Sequence, residues 1–154
     1  MADEIERKFL LANDAWRGLV QGKLLRQGYL CTENNCAVRV RISADKAWLG
    51  VKGKTVGATR PEFEYAIPLE DAERLLNELA RRPLIEKTRY AISASGLVWE
   101  VDEFHGVNQG LLVVEVELKN EGQKFEKPIW VGREVTGDPR YYNANLVARP
   151  FSDW

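Results

Sequence analysis

Histidine and methionine are almost absent from this chain of 154 residues, with one of each, and cysteine occurs only twice. The lone histidine, His105, stands beside Gly106 with no partner close in sequence, which gives no footing to a Ser-His-Asp arrangement or a zinc centre and leaves a surface histidine as the reading. Cys31 and Cys36 flank the turn-like Thr32-Glu33-Asn34-Asn35. Two cysteines are neither a disulfide framework nor a zinc signature, so free thiols are expected, with a disulfide across the hairpin as the alternative. No window approaches the ~20 apolar residues of a membrane-spanning helix, and the charged stretch from Asp3 onward carries no signal-peptide core. A cytoplasmic protein without a membrane partner is the expectation. An excess of one charge is lacking too: 22 Lys and Arg stand against 23 Asp and Glu, a formal net charge of -1. That excludes the basic surplus of a general nucleic-acid binder, so no nucleic-acid partner is expected and any anion site must be locally concentrated. Repeats and linkers are absent as well, and 154 residues of 45% apolar content fit one domain over residues 1–154.

What is present is strand-like alternation. Segments at 3–11, 23–32, 36–43, 46–54, 60–67, 86–94, 97–105 and 111–119 read as strands, several joined by hairpin-sized links: Glu33-Asn34-Asn35, Ala44-Asp45 and Ser95-Gly96. Eight short-linked strands predict a mainly β (α+β) fold built on an antiparallel sheet or closed barrel. One helix is clear, over 69–81. It begins after Pro68, spaces Leu69, Ala72, Leu75, Leu76 and Leu79 along one face, and gathers Glu70, Asp71 and Glu73 where the macrodipole favours acid. A weaker helix is expected over 140–147, behind the Asp138-Pro139 pair, with short helical turns near 13–18 and 121–125.

The charges follow the same alternation. In Glu4-Ile5-Glu6-Arg7-Lys8 a strand projects Glu4, Glu6 and Lys8 together, while Ile5 and Phe9 belong to the other face. Taken alone, that pattern reads first as a solvated strand face. The pattern recurs, however: Arg39 with Arg41, Lys52 with Lys54, Glu62 with Glu64, Lys87 with Arg89, Glu100 with Asp102, and Glu115 with Glu117. Like charges on neighbouring sites of one face repel, so repeating them strand after strand is hard to explain by solubility alone. If the sheet closes, this face becomes a charged lumen and the apolar faces look outward, where they need cover. The helix over 69–81 and the C-terminal segment could supply it, with Trp48, Trp99 and Trp130 in that outer layer or at the barrel ends. Such a lumen demands charges that are paired, hydrated or neutralised by a ligand. A metal-bound polyanion meets that demand, since carboxylates take hard divalent metals and lysine and arginine grip phosphate.

These ordered motifs resemble the CYTH or triphosphate tunnel metalloenzyme family over nearly the full length. The carriers are Glu4-x-Glu6-x-Lys8, Arg39-x-Arg41, Lys52-x-Lys54, Arg60-x-Glu62-x-Glu64, Lys87-x-Arg89, Asp102 and Glu115-x-Glu117. The resemblance implies an eight-stranded antiparallel tunnel with helices packed outside, most like the short bacterial inorganic tripolyphosphatases. It implies Glu4, Glu6, Glu62, Asp102, Glu115 and Glu117 as ligands of Mg2+ or Mn2+. Lys8, Arg39, Arg41, Lys52, Lys54, Lys87, Arg89 and Arg133 would hold the phosphates. The stretch Glu134 to Asn143 looks like the family's C-terminal element, with Pro139 and Tyr142 standing where lysine is frequent.

The implied activity is metal-dependent hydrolysis of a linear triphosphate, inorganic tripolyphosphate first, by direct attack of water and without a phosphoenzyme. Phosphoryl transfer asks for charge neutralisation and in-line placement more than for covalent help. For the base, the resemblance suggests a pair of Lys8 and Tyr29. Neighbouring cations favour a neutral Lys8 and Glu4 and Glu6 favour its ammonium, so a phosphate-binding Lys8 and a packing Tyr29 stand beside that pair. Thiamine or nucleoside triphosphate hydrolysis and class IV-type adenylyl cyclisation are the alternatives, and a non-enzymatic polyphosphate-binding module is a further one. The expected partner is a small-molecule triphosphate, bound by a monomer or homodimer.

Overall fold

The computed structural model describes residues 2–154. Strands β1 (Asp3–Leu11), β2 (Lys23–Cys31), β3 (Ala37–Ser43), β4 (Lys46–Lys52) and β5 (Thr59–Ile67) precede helix α1 (Leu69–Glu78). Strands β6 (Ile85–Ala94), β7 (Leu97–Phe104), β8 (Leu112–Glu117) and β9 (Val131–Glu134) follow, and a short α2 (Asn145–Ala148) lies near the C-terminus. The strands pair antiparallel in the order β5-β4-β3-β2-β6-β7-β8-β1. Contacts such as Glu4 opposite Arg60 join β1 back to β5, closing the expected barrel of eight strands.

The turns follow from local chemistry. Asn34 and Asn35, Ala44, and Ser95 with Gly96 all have positive φ, which is the backbone twist that tight hairpins need. Cys31 and Cys36 are free thiols. α1 ends at Glu78 rather than at residue 81. The helix expected over 140–147 divides into a 3-10 turn at Pro139–Tyr141 and the four-residue α2. Asp138 caps the turn by accepting from the Arg140 amide, and Tyr142 then returns to extended backbone (φ -71, ψ 128). Segment 13–18 holds a turn in which the Arg17 amide donates to the Asp14 carbonyl, and 121–125 opens with a turn at Glu121-Gly122 and continues without regular structure. β9 extends the sheet beyond the barrel: β1 outruns β5, and its far end pairs with Val131–Glu134 instead.

Because charge occupies one face of most strands, the apolar side chains lie outside the barrel and at one end of it. Trp99 and Trp130 pack edge to face at 6.3 Å between ring centroids, with Phe9, Trp16 and Phe125 beside them, over the outer surface of β1, β7 and β8. α1 covers Val40, Ile42 and Ala47 of β3 and β4 with Ala72 and Leu76. Trp48 belongs to neither layer. It faces Arg41 in register on the lumen side, with the guanidinium 5.4 Å from its ring centroid.

The C-terminal segment does something other than cover the outer face. On several strands the inward-facing positions change from charged to apolar toward one end: Leu10 beyond Lys8, Phe104 beyond Asp102, Ile85 before Lys87, and Val113 before Glu115. Tyr29, Val135, Tyr141 and Leu146 complete that cluster, and Leu146 is wholly buried. The barrel is thus plugged at one end by its own C-terminal residues.

α1 reaches β2 only because Gly28 has no side chain: a Cβ there would lie 2.8 Å from Ala80 Cβ and 2.9 Å from Leu76 Cδ2. We expect Gly28→Ala to cost about 1–3 kcal/mol of unfolding free energy by overpacking this contact. Urea denaturation of the two proteins measures it, and an unchanged midpoint would contradict the packing described.

Candidate active site

Period-two alternation brings the strand charges into one cavity of about 550 Å³ inside the barrel. Its wall includes Glu4, Glu6, Lys8, Arg39, Arg41, Lys52, Lys87, Arg89, Glu62, Glu115 and Glu117, and Tyr29 stands among them. Lys54 lines the same cavity at an exposed position. Two expected residues lie elsewhere: Arg133 is exposed on β9, and Asp102 is fully buried behind the wall. Three charges that alternation identified without a role, Arg60, Glu64 and Glu100, are also in the wall. Thr136 and Asn143 reach it from the C-terminal segment; being uncharged, they carried no signal in the strand pattern.

Most of the wall charges are ion-paired; Glu6, Glu117 and Lys54 are in no such pair among the described residues. Lys8 sits opposite Glu115 in the β1–β8 register, and their charged atoms are 3.4 Å apart. Lys52 lies 3.2 Å from Glu4 and 3.6 Å from Glu62, and Arg60 also meets Glu4 at 3.2 Å. Glu64 lies between Arg39, at 3.6 Å, and Arg41, at 3.3 Å. Arg89 spans three carboxylates, with Asp102 held through two nitrogens at 2.8 and 2.9 Å and Glu100 and Glu115 at 3.2 and 3.7 Å. Lys87 Nζ completes this cluster 2.9 Å from Asp102.

The proton affinities follow from this crowding. Burial works to keep Asp102 protonated, but Arg89 and Lys87 outweigh it and lower its pKa. Glu115 is likewise desolvated, yet Lys8, Arg89 and Lys87 hold it well below the usual carboxylate range. Burial opposes the Lys8 ammonium, but Glu115, Glu6 and Asp102 raise its pKa overall, so Lys8 is a cation at neutral pH. Lys87 is pushed down to about 8, by burial first and by Arg89 next, against the pull of Asp102.

Two carboxylates behave differently. Glu6 is raised well above its ordinary value by burial and by the neighbouring Glu115 and Glu4. Glu62 is raised to about 7 by burial and by Glu4, while Glu4 falls to about 2 because hydrogen bonding to Glu62 and the charges of Lys52 and Arg60 outweigh its burial. Like charges this close raise each other's proton affinity.

Hydrogen bonds set the positions of the lysines. Lys8 Nζ donates to the Tyr141 carbonyl at 2.9 Å. The Tyr29 hydroxyl instead accepts from Gln27 Nε2 at 3.5 Å, and no hydrogen bond joins Tyr29 to Lys8. His105 lies half-buried outside the cavity, with its Nε2 2.7 Å from the Thr88 hydroxyl.

The donor set fits a hard divalent cation of limited protein ligation. Among the described residues no three His, Cys, Asp or Glu side chains group closely enough to cage a metal unaided. Mg2+ takes one or two carboxylates and completes its shell with water and phosphate oxygens, so a full protein cage is not required. The raised proton affinities of Glu6 and Glu62 come from burial first and from neighbouring carboxylates next, and a cation beside them would relieve the second cause.

Sequence comparison agrees with the geometry. The CYTH domain family model matches residues 2–151. A protein named inorganic triphosphatase from Acetivibrio thermocellus is 49% identical over 154 residues, covering 100% of this chain and 99% of its own. Another of that name from Nitrosomonas europaea is 38% identical over 148 residues, covering 94% and 96%. A crystal structure of an inorganic triphosphatase superposes with a TM-score of 0.68 at 36% identity, covering 96% of this chain and 95% of that one. No helix of the described residues is long and apolar enough to cross a membrane. On the match across the barrel and the two relatives of full length, this chain belongs to the CYTH domain family.

Proposed function

We propose that the chain hydrolyses a linear triphosphate, inorganic tripolyphosphate to pyrophosphate and phosphate, with Mg2+ or Mn2+. The observation that carries this reading is the cavity wall, in which arginines and lysines alternate with more carboxylates than anion capture alone needs. The names of the two relatives support the substrate class.

In this reading Arg39, Arg41, Lys52, Lys87 and Arg89 bind phosphate oxygens, the arginines with two nitrogens each where geometry permits. Arg60, which faces Glu4 within the wall, joins them. Lys54 meets the anion at its exposed position, while Arg133 lies outside the cavity and is left without a site role. Lys8 holds phosphate as an ammonium, because its carboxylate neighbours keep the proton on. Tyr29 shapes the wall. Glu4, Glu6, Glu62, Glu115 and Glu117 are the residues that would hold metal. A bound divalent cation would neutralise phosphate oxygens and lower the cost of the charge that develops in the transition state. Asp102 holds Lys87 and Arg89 in place instead of ligating metal. Water attacks the terminal phosphorus in line; as the new P–O bond forms, the bond to the bridging oxygen breaks, pyrophosphate leaves with that electron pair, and the proton lost by the water passes to a phosphate oxygen or to solvent.

The direct test incubates the purified protein with Mg2+ or Mn2+ and, separately, tripolyphosphate, ATP and thiamine triphosphate, measuring phosphate, pyrophosphate and cyclic AMP. Phosphate and pyrophosphate from tripolyphosphate are expected, with the reaction abolished by a chelator. Pyrophosphate with cyclic AMP from ATP would overturn the proposal, as would metal-independent polyphosphate binding without turnover.

Lys8→Met is expected to lower kcat/KM about a hundredfold at every pH without moving either limb of the pH–rate profile. A displaced limb would identify Lys8 as the titrating base, and an unchanged kcat in both Lys8→Met and Tyr29→Phe would remove the pair from the chemistry altogether. Asp102→Asn leaves two buried cations short of a counter-charge, and we expect a loss of about 3–5 kcal/mol in metal-free unfolding experiments. Loss, in Asp102→Asn, of the stabilisation that Mg2+ gives the wild-type protein would instead identify Asp102 as a metal ligand.

A further inference from the structure

The two most buried lysines of the cavity are both tied to the C-terminal segment, and the tie on Lys87 is a side chain that strand alternation never touches. Lys87, 1% exposed, donates to Asn143 Oδ1 at 2.8 Å and lies 2.9 Å from Asp102 Oδ2. An ammonium has three N–H groups and no acceptor. With two directed at Asn143 and Asp102, tetrahedral geometry fixes the third, and Lys87 lines the cavity into which the remaining donor can reach.

Donor and acceptor identities reinforce this arrangement. Lys87 can only donate, so the oxygen of the Asn143 amide must face it. The same oxygen accepts from Gln27 Nε2 at 3.1 Å, and Gln27, wholly buried, also reaches the Tyr29 hydroxyl. Gln27 stands on β2 and Lys87 on the adjacent β6, so one amide oxygen ties two strands of the barrel wall to the plug. Asp102 alone could not do this. It neutralises Lys87 but shares itself with Arg89, and a single contact leaves the ammonium free to rotate.

We propose that Asn143 is a positioning residue of the phosphate site, holding the Lys87 ammonium so that its free N–H meets a phosphate oxygen. This inference rests on the triphosphatase reading of the cavity. Asn143 acts through Lys87, which makes the two residues one functional unit and their losses non-additive.

A double-mutant cycle tests it. Asn143→Leu keeps the volume and removes the acceptor; it is expected to lower kcat/KM for tripolyphosphate with Mg2+ between about tenfold and a hundredfold, in line with a hydrogen bond to a charged group. Lys87→Met is expected to lose more, and the double variant to match Lys87→Met within about twofold. Multiplying losses, or an Asn143→Leu rate equal to wild type, would overturn the proposal. If thermal melts show that Asn143→Leu does not fold, Asn143→Ala takes its place in the cycle; failure of both to fold would make Asn143 structural and overturn it as well. Turnover by the wild-type protein tests the underlying reading separately. Without turnover, the same cycle is read from tripolyphosphate affinity by titration calorimetry, where additive losses again overturn the inference.

Discussion

A charged interior survives only where each charge has a partner, and the contact on which this barrel most depends is the one between Asp102 and its two cations. Asp102 is 0% exposed and meets Lys87 once and Arg89 twice. Desolvating an isolated carboxylate or ammonium costs several kcal/mol, and only good geometry with further hydrogen bonds offsets it. Here the geometry is set by register, since Arg89 lies directly opposite Asp102 between β6 and β7. Arg89 then reaches Glu115 on β8, and Glu115 faces Lys8 on β1, so one buried carboxylate orders charges across four consecutive strands.

The same constraint explains where the apolar residues go. With charge inside, hydrophobic burial has to be found outside and at the end, and each location uses a different means. A tryptophan-rich layer covers one flank, α1 covers another, and the C-terminal segment closes one end of the lumen. The plug therefore serves stability and function together. Tyr141 belongs to the buried cluster that contains Tyr29, Ile85 and Phe104, while its carbonyl oxygen accepts from the Lys8 ammonium. Packing the apolar end places polar backbone against the charged middle, and there is no boundary at which the core stops and the site begins.

The barrel and most of the cavity wall were legible in the sequence because both obey period two. Strand alternation assigns Glu4, Glu6 and Lys8 to one face whatever the fold, and the closure of the sheet turns that face inward. What was not legible depends on depth or on closure. Asp102 has the same spacing from Glu100 as Glu117 has from Glu115, and only its burial behind Lys87 and Arg89 separates an anchor from a wall residue. β9 is four residues, Val-Gly-Arg-Glu, that form a strand because β1 offers a free edge there. The stretch over 140–147 reads as a weak helix behind Asp138-Pro139, since nothing local announces that its partners are the inward residues of five strands. Asn143 is neutral, and its importance comes from two donors that converge on it from β2 and β6.

Under the proposed function, in which the lumen takes both a polyanion and a cation, pairing also has a thermodynamic consequence. An anion that engages Lys52 competes with Glu4, and one that engages Lys8 competes with Glu115. Each carboxylate so released loses its counter-charge in a low-dielectric setting, where an uncompensated charge is costly. A divalent cation at the released carboxylates removes that cost, and a cation arriving first frees the lysines in the same way. The coupling must be reciprocal, because each ligand weakens the contact that opposes the other. In that reading the near-neutral wall would resist either ion alone and favour both together, which is the charge logic that the hydrolysis of a metal-bound triphosphate requires.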